Sequence, residues 1–154
     1  MHSIWTPELE TGIASIDADH REILELIAAV IHNRRGPDSL SEAKRILRHL
    51  EDHVLKHFAD EEREMAATHY PEMLAHLAEH GRLAEYIASL GKELKEEGGD
   101  IDLLVVSSRL LCNWLVTHIT CVDRAFADFL HRTGYTDAAV THVRASANHH
   151  RAHH

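Results

Sequence analysis

Proline and glycine are scarce in this chain, with three and seven copies among 154 residues. Both interrupt helices, so their shortage leaves room for long helical runs of Ala, Leu, Glu, Ile and His. Lys and Arg number 16 against 25 Asp and Glu, giving a formal charge of -9, and they form no cluster. Nucleic acid and an anionic membrane surface are thereby excluded as partners, because either needs concentrated positive charge. The start, MHSIWTPELETG, lacks the basic opening and apolar run of a signal peptide. No stretch is expected to approach the length of a membrane span, and the expected location is cytoplasmic. Cysteine is limited to Cys112 and Cys121. Nine residues apart, they fall on opposite faces of one helix and cannot pair within it. They read as reduced, buried small residues. A chain of 154 residues is one domain with a real core.

The punctuation that is present divides the chain into four helical segments. After an irregular arm through Trp5, Pro7 and Gly12, a first helix is expected from about Asp17 to Ile31, with His20, Ile23, Leu24, Ile27 and Ile31 on one stripe. A second begins near Ser39 or Ser41, where Ser39 and Glu42 have capping-box spacing, and runs to about Thr68. Its stripe is Ile46, Leu50, Val54, His57, Phe58, Glu61 and Met65. Pro71 opens a third that lasts to about Glu97, before Gly98 and Gly99, with Met73, His76, Leu77, His80, Leu83, Ala84, Ile87 and Leu94 inward. Asp100 caps a fourth that ends near Thr133 and Gly134, with Leu104, Leu111, Trp114, Leu115, His118, Val122, Phe126 and Phe129 inward. Short links between long amphipathic helices make neighbours antiparallel. The expected fold is therefore an all-α, up-down-up-down four-helix bundle over residues 1–134, with an N-terminal arm and a His-rich C-terminal tail at 135–154, and the chain is expected to be a monomer. The tail histidines, His149, His150, His153 and His154, are assigned no function.

Polar residues stand on these inner stripes. His20 is single, His57 and Glu61 form an HxxxE, His76 and His80 an HxxxH, and His118 and Asp123 an HxxxxD. Burying such groups without partners costs roughly 2 to 7 kcal/mol each when neutral and more when charged. Residues four apart stack on one helix face, close enough to chelate one metal or bridge two. Seven donors are too many for one tetrahedral zinc and too few for two closed ones. If both carboxylates bridge, five imidazoles and four carboxylate oxygens make nine bonds, and a shared solvent oxygen brings the total to eleven of twelve octahedral positions. One vacancy remains, suited to a small molecule such as dioxygen. Imidazole and carboxylate without thiolate suit iron, and a histidine-rich set favours reversible chemistry over oxygen activation.

The residues also carry a family resemblance. The run Trp5 to Gly12, followed by Ile16, Asp17 and His20, resembles the N-terminal signature of hemerythrins, particularly the bacterial ones. His57-Phe58 with Glu61-Glu62, Tyr70-Pro71, His76 with His80, and Trp114-Leu115 before His118-Ile119 and Asp123 match the rest in order and spacing. The likeness covers about Trp5 to Leu130. It implies that His76, His80 and His118 hold one iron, that His20 and His57 hold the other, and that Glu61 and Asp123 bridge. It further implies two iron ions (Fe2+/Fe3+) with a bridging oxo or hydroxo, and dioxygen as ligand at the iron with two histidines. The expected function is reversible dioxygen binding for carriage, storage or delivery, and not an enzymatic one. The alternatives are an oxygen or redox sensing module acting on a partner, and a di-iron enzyme handling peroxide or nitric oxide.

Several positions depart from that pattern or stand outside it. His53 occupies a place where these proteins often carry an aromatic residue, and a plain core or interface histidine is the favoured reading over a hydrogen-bond donor or competing ligand. Leu83 replaces a phenylalanine common three residues after the HxxxH, which is expected to enlarge the pocket. Cys121, three after His118, reads as buried filler in preference to a redox group. Ile23, Trp114, Leu115 and Ile119 are expected to line an apolar oxygen pocket while also serving as core. Asp60, Glu62 and Arg34-Arg35 read as solvated surface, as do His2, His32, His49, His69, His131 and His142, which have no partner at ligand spacing. The five-residue step from His118 to Asp123 turns about 140 degrees on a straight α-helix and would not aim both at one centre. A π-type widening between them is therefore predicted, and regular α-helical hydrogen bonding from His118 through Asp123 would refute it.

Overall fold

The computed structural model describes residues 4–32, 38–96 and 101–135. Its helices are α1 (Ala14–His32), α2 (Ser39–Ala67), α3 (Met73–Glu96), α4 (Ile101–His118) and α5 (Arg124–Arg132), with a π-helical turn, Ile119–Asp123, joining α4 to α5. Since α4, the π turn and α5 form one continuous rod, the architecture is the expected antiparallel four-helix bundle. Helix α1 packs along both α2 and α4, and α2 also packs along α3. Residues 1–3, 33–37, 97–100 and 136–154 lie outside the described set, and with them the expectations for His2, Arg34-Arg35, Asp100, the glycine pair, His142 and the tail, as does the side chain of Leu94.

Two apolar clusters fill the interior. The larger includes Ile23, Leu24, Ile27, Leu47, Leu50, Val54, Phe58, Leu83, Ile87, Leu111, Leu115 and Ile119. The smaller consists of Ile13, Ile16, Met65, Tyr70, Phe126, Ala127 and Leu130. Ligand-type residues mark the boundary between them: His20 lies between Ile16 and Ile23, Glu61 between Phe58 and Met65, and Asp123 between Ile119 and Phe126, while His57 and His118 stand at the edge of the larger cluster. The fold thus holds one polar layer between two apolar ones.

Helix boundaries differ from the expectation where side chains cap loops. Helix α1 starts at Ala14, three residues before Asp17, because Asp17 closes the preceding loop from within the first turn. Its Oδ1 accepts from Thr11 N and Thr11 Oγ1 at 2.8 Å, and its Oδ2 accepts from Gly12 N at 3.2 Å. Gly12 there has φ +85°, a left-handed conformation that favours glycine, and an added Cβ would also lie 2.9 Å from the ring of the exposed His131, which would have to move aside. At the start of α2 the cap residue is Asp38, and Ser39 lies inside the helix, so the capping box is not formed. Pro71 stands in the turn before α3, which starts at Met73. The N-terminal arm is held by Arg124, whose Nη2 donates to Glu8 O (2.6 Å) and Glu10 O (2.8 Å), and by Arg21 lying 4.8 Å from the Trp5 ring centre.

The rod Ile101–Arg132 corrects the expectation about membrane-span length, since it is long and apolar enough by length and composition to cross one. Its apolar character has a local cause. Leu104, Leu111, Leu115 and Ile119 are core, while Leu103, Val106 and Leu110 add further hydropathy on the exposed face.

Two helices end alike. Past α2, Tyr70 N donates to Met65 O and His69 N to Ala66 O, and past α5, Tyr135 N donates to Leu130 O and Gly134 N to His131 O. Each is a Schellman motif whose following tyrosine packs on the smaller cluster. The left-handed residue is Gly134 (φ 81°) in one and His69 (φ 55°) in the other. A left-handed non-glycine residue costs roughly 1–2 kcal/mol. His69→Gly is therefore expected to raise stability by up to about 1 kcal/mol after the entropy cost of glycine, read as a higher denaturation midpoint with an unchanged slope.

Candidate metal centre

All seven ligand-type residues are buried, with His20, His57, His76, His80, His118, Glu61 and Asp123 each exposing 3% or less. Their Nε2 atoms turn toward the two carboxylates. Asp123 Oδ2 lies 2.9 Å from His20, and its Oδ1 lies 2.9 Å from His76 and 3.2 Å from His118. Glu61 Oε1 lies 2.9 Å from His57 and 3.4 Å from His80. The five residues Glu61, His76, His80, His118 and Asp123 form one potential cation cluster, and His20, His57 and Asp123 form another, with donor atoms within 4.8 Å inside each. Asp123 belongs to both.

The π turn makes this possible. Ile119–Asp123 is π-helical, as the spacing predicted, so a five-residue step brings His118 and Asp123 onto one side. The imidazoles are also braced from behind. Phe58 stacks on His80 at 3.8 Å and 7°, and Trp114 stacks on His118 at 5.0 Å and 12°. His57 Nδ1 lies 2.8 Å from Asp19 Oδ2, which orients that ring.

In the metal-free cluster, electrostatics bind the side chains to one another. Burial opposes charge on His57, but Glu61, Asp19 and Asp123 outweigh it and hold its pKa at about 10. Burial and Asp123 push Glu61 up, yet His57 and His80 bring it down to about 2. Asp123 stays well below the usual carboxylate range because its histidine partners overcome burial. Burial lowers His80, whereas Asp123 overrides burial at His118 and raises it.

These contacts still leave the donors unsatisfied. The Nε2 atoms of all five histidines and both oxygens of Glu61 and Asp123 are buried without a hydrogen-bond partner. Nine convergent lone-pair atoms of imidazole and carboxylate fit cations of the kind such donors prefer, and they fit nothing apolar. A family model described as the hemerythrin HHE cation binding domain matches residues 11–130. The chain belongs to the hemerythrin family. A bacteriohemerythrin of Methylococcus capsulatus is 32% identical over 127 residues, covering 82% of this chain and 95% of that protein. One from Pseudomonas paraeruginosa is 31% identical over 131 residues (82% and 80%), and a myohemerythrin of Riftia pachyptila is 27% identical over 120 (78% and 87%).

Other expectations for this hemerythrin chain fare unevenly. Ile23, Leu115 and Ile119 are buried beside the polar layer, and Trp114 is half-buried. Leu83 and Trp114 line a cleft of about 280 Å³ between α3 and α4. His53 joins no cluster and instead contacts Glu22 at the surface. Cys121 is exposed and Cys112 half-buried, contrary to the expectation of buried cysteines; Cys121 lies within the π turn, where a face inferred from regular α-helical spacing no longer applies. Asp60, expected on the surface, is 1% exposed and paired with Lys56 and Arg63. Glu62 is half-buried, 3.9 Å from His80 Nδ1. His49 is exposed, as the surface reading expects, and lines a surface cavity with His53. Asp19 was missed altogether. Its signal, an acid one residue before His20, names no partner until α1 and α2 are docked.

The pH dependence follows. His57 is raised above its ordinary 6.5, so with metal removed by chelation its stabilising contribution is complete below pH 6.5 and lost as pH rises through about 10. Chelated protein is expected to unfold progressively more easily across that window, and Asp19→Ala to flatten the loss, both measured by denaturation at stepped pH.

Proposed function

We propose that this chain binds dioxygen reversibly at a pair of iron ions held in the polar layer. The observation that supports the reading is the set of nine buried donor atoms without a hydrogen bond, divided between two clusters that share Asp123. His76, His80 and His118 would hold one ion and His20 and His57 the other, with Glu61 and Asp123 reaching both. When bound, the pair would supply redox chemistry and a place for a small molecule to bind. The protein's own part is to fix and dry the site. Asp19 and the stacked rings of Phe58 and Trp114 hold three imidazoles in orientation. Ile23, Leu115 and Ile119, 3% exposed or less, keep water from the layer and offer a small apolar molecule a favourable surrounding. The bundle of residues 1–134 is the working unit in this proposal, acting as a cytoplasmic monomer in oxygen carriage or storage, without turnover.

An iron assay with visible spectra through an oxygenation and deoxygenation cycle tests the reading. About two irons per chain and a spectrum that reverses under vacuum are expected, with the paired signature lost in Asp123→Ala. Zinc in place of iron after anaerobic ferrous reconstitution, or steady turnover with a reductant, would overturn it. Leu83→Phe should fill the α3–α4 cleft and lengthen the lifetime of the oxygenated spectrum several-fold, measured as the rate of autoxidation.

A further inference from the structure

Helices α1 and α2 meet in a ladder of acid and histidine that continues beyond the buried layer. Its inner rung is His57 with Asp19, Nδ1 to Oδ2 at 2.8 Å. One step of four back along α2 and three forward along α1, His53 Nε2 contacts Glu22 Oε2. The same step again reaches His49 and Glu25, and Glu22, Glu25, Leu26, His49 and His53 together line a cavity of about 240 Å³. Antiparallel helices repeat their facing residues at this interval, so the rungs follow from the packing.

The outer two rungs differ from the inner one in exposure. Glu22 is 62% exposed and His53 28%, whereas His57 is 3%. Charged side chains there lose little hydration on assembling, and His49 and Glu25, both exposed, line the same cavity as the His53–Glu22 contact. Two imidazoles and two carboxylates make a four-donor set for a first-row divalent cation. Exposure keeps such binding exchangeable. Asp19, 18% exposed, stands between this set and the buried cluster, three residues before Glu22 on α1 and in contact with His57.

We propose that His49, His53, Glu22 and Glu25 form a surface site for a divalent cation, which passes metal to the buried cluster by way of Asp19. The transfer role rests on the iron reading above, whereas the site itself does not. Zinc is the appropriate probe, since it binds such donors more tightly than ferrous iron. The test uses the full chain with His149, His150, His153 and His154 replaced by alanine, titrated with Zn2+ by calorimetry after iron loading. One zinc more per chain is expected than in the same background carrying His49→Ala with His53→Ala, and Glu22→Gln should weaken that zinc by about 10-fold or more. This difference is readable whether or not the buried layer holds iron, so failure of the iron reading is seen separately as absent iron. In a second arm, ferrous uptake by chelated protein should be several-fold slower in His53→Ala, with the same final iron content and with His32→Ala unchanged. Equal zinc stoichiometry with and without His49 and His53, or equal uptake rates, would overturn the proposal.

Discussion

The constraint on which the structure depends is the burial of seven polar side chains in one layer across the bundle. Five imidazoles and two carboxylates between apolar clusters would each cost several kcal/mol if left alone. Among themselves they recover part of that cost, through the attraction of Glu61 and Asp123 for His57 and His118. The recovery is incomplete, because nine donor atoms remain without a hydrogen bond. A cation completes what the side chains cannot. Stability and function therefore act on the same atoms, and any change that improves the apolar packing of this layer removes the reason for it.

Placement of the layer explains several features elsewhere. The apolar cluster on one side holds Phe58 against His80, and the half-buried Trp114 covers His118 from the flank. On the other side, Phe126 and Tyr70 pack in the cluster closed by the two Schellman ends, so the turns after α2 and α5 fix the far wall of the site. Arg124, one residue past Asp123, ties the N-terminal arm to the π turn through the carbonyls of Glu8 and Glu10. The irregular arm is thereby anchored next to the one irregular helical turn.

Much of this was legible in the sequence, for a physical reason. Helical periodicity assigns a residue to a face, and a histidine on an apolar face is conspicuous, so the seven ligand-type residues of the buried layer and the bundle could be read. Even the π turn was legible, because a five-residue step between two inward residues contradicts the α-helical period. What periodicity does not carry is the docking of one helix on another. Asp19, the burial of Asp60 and the pairing of His53 with Glu22 depend on that contact. Loop capping was hidden for a related reason, since Asp17 acts on residues five and six before it. Cys121 was misplaced because it lies inside the π turn, where the regular face count stops applying.

The layer also imposes a problem of assembly that the α1–α2 interface answers. Donors that expose 3% or less, braced by stacked rings, hold a cation well but are poorly placed to capture one from water. A hydrated divalent ion loses water in stages, and each stage needs donors at intermediate exposure to replace it. The rungs of the ladder are graded in that order, from Glu22 at 62% exposed through Asp19 at 18% to His57 at 3%. Access over the apolar cleft of Leu83, Leu111 and Trp114 would offer an ion few such replacements, although it suits an uncharged diatomic molecule. On these proposals the bundle would offer two chemically distinct approaches to one buried layer, polar along α1 and α2 and apolar between α3 and α4. A charged ion and a neutral gas need not compete for the same route.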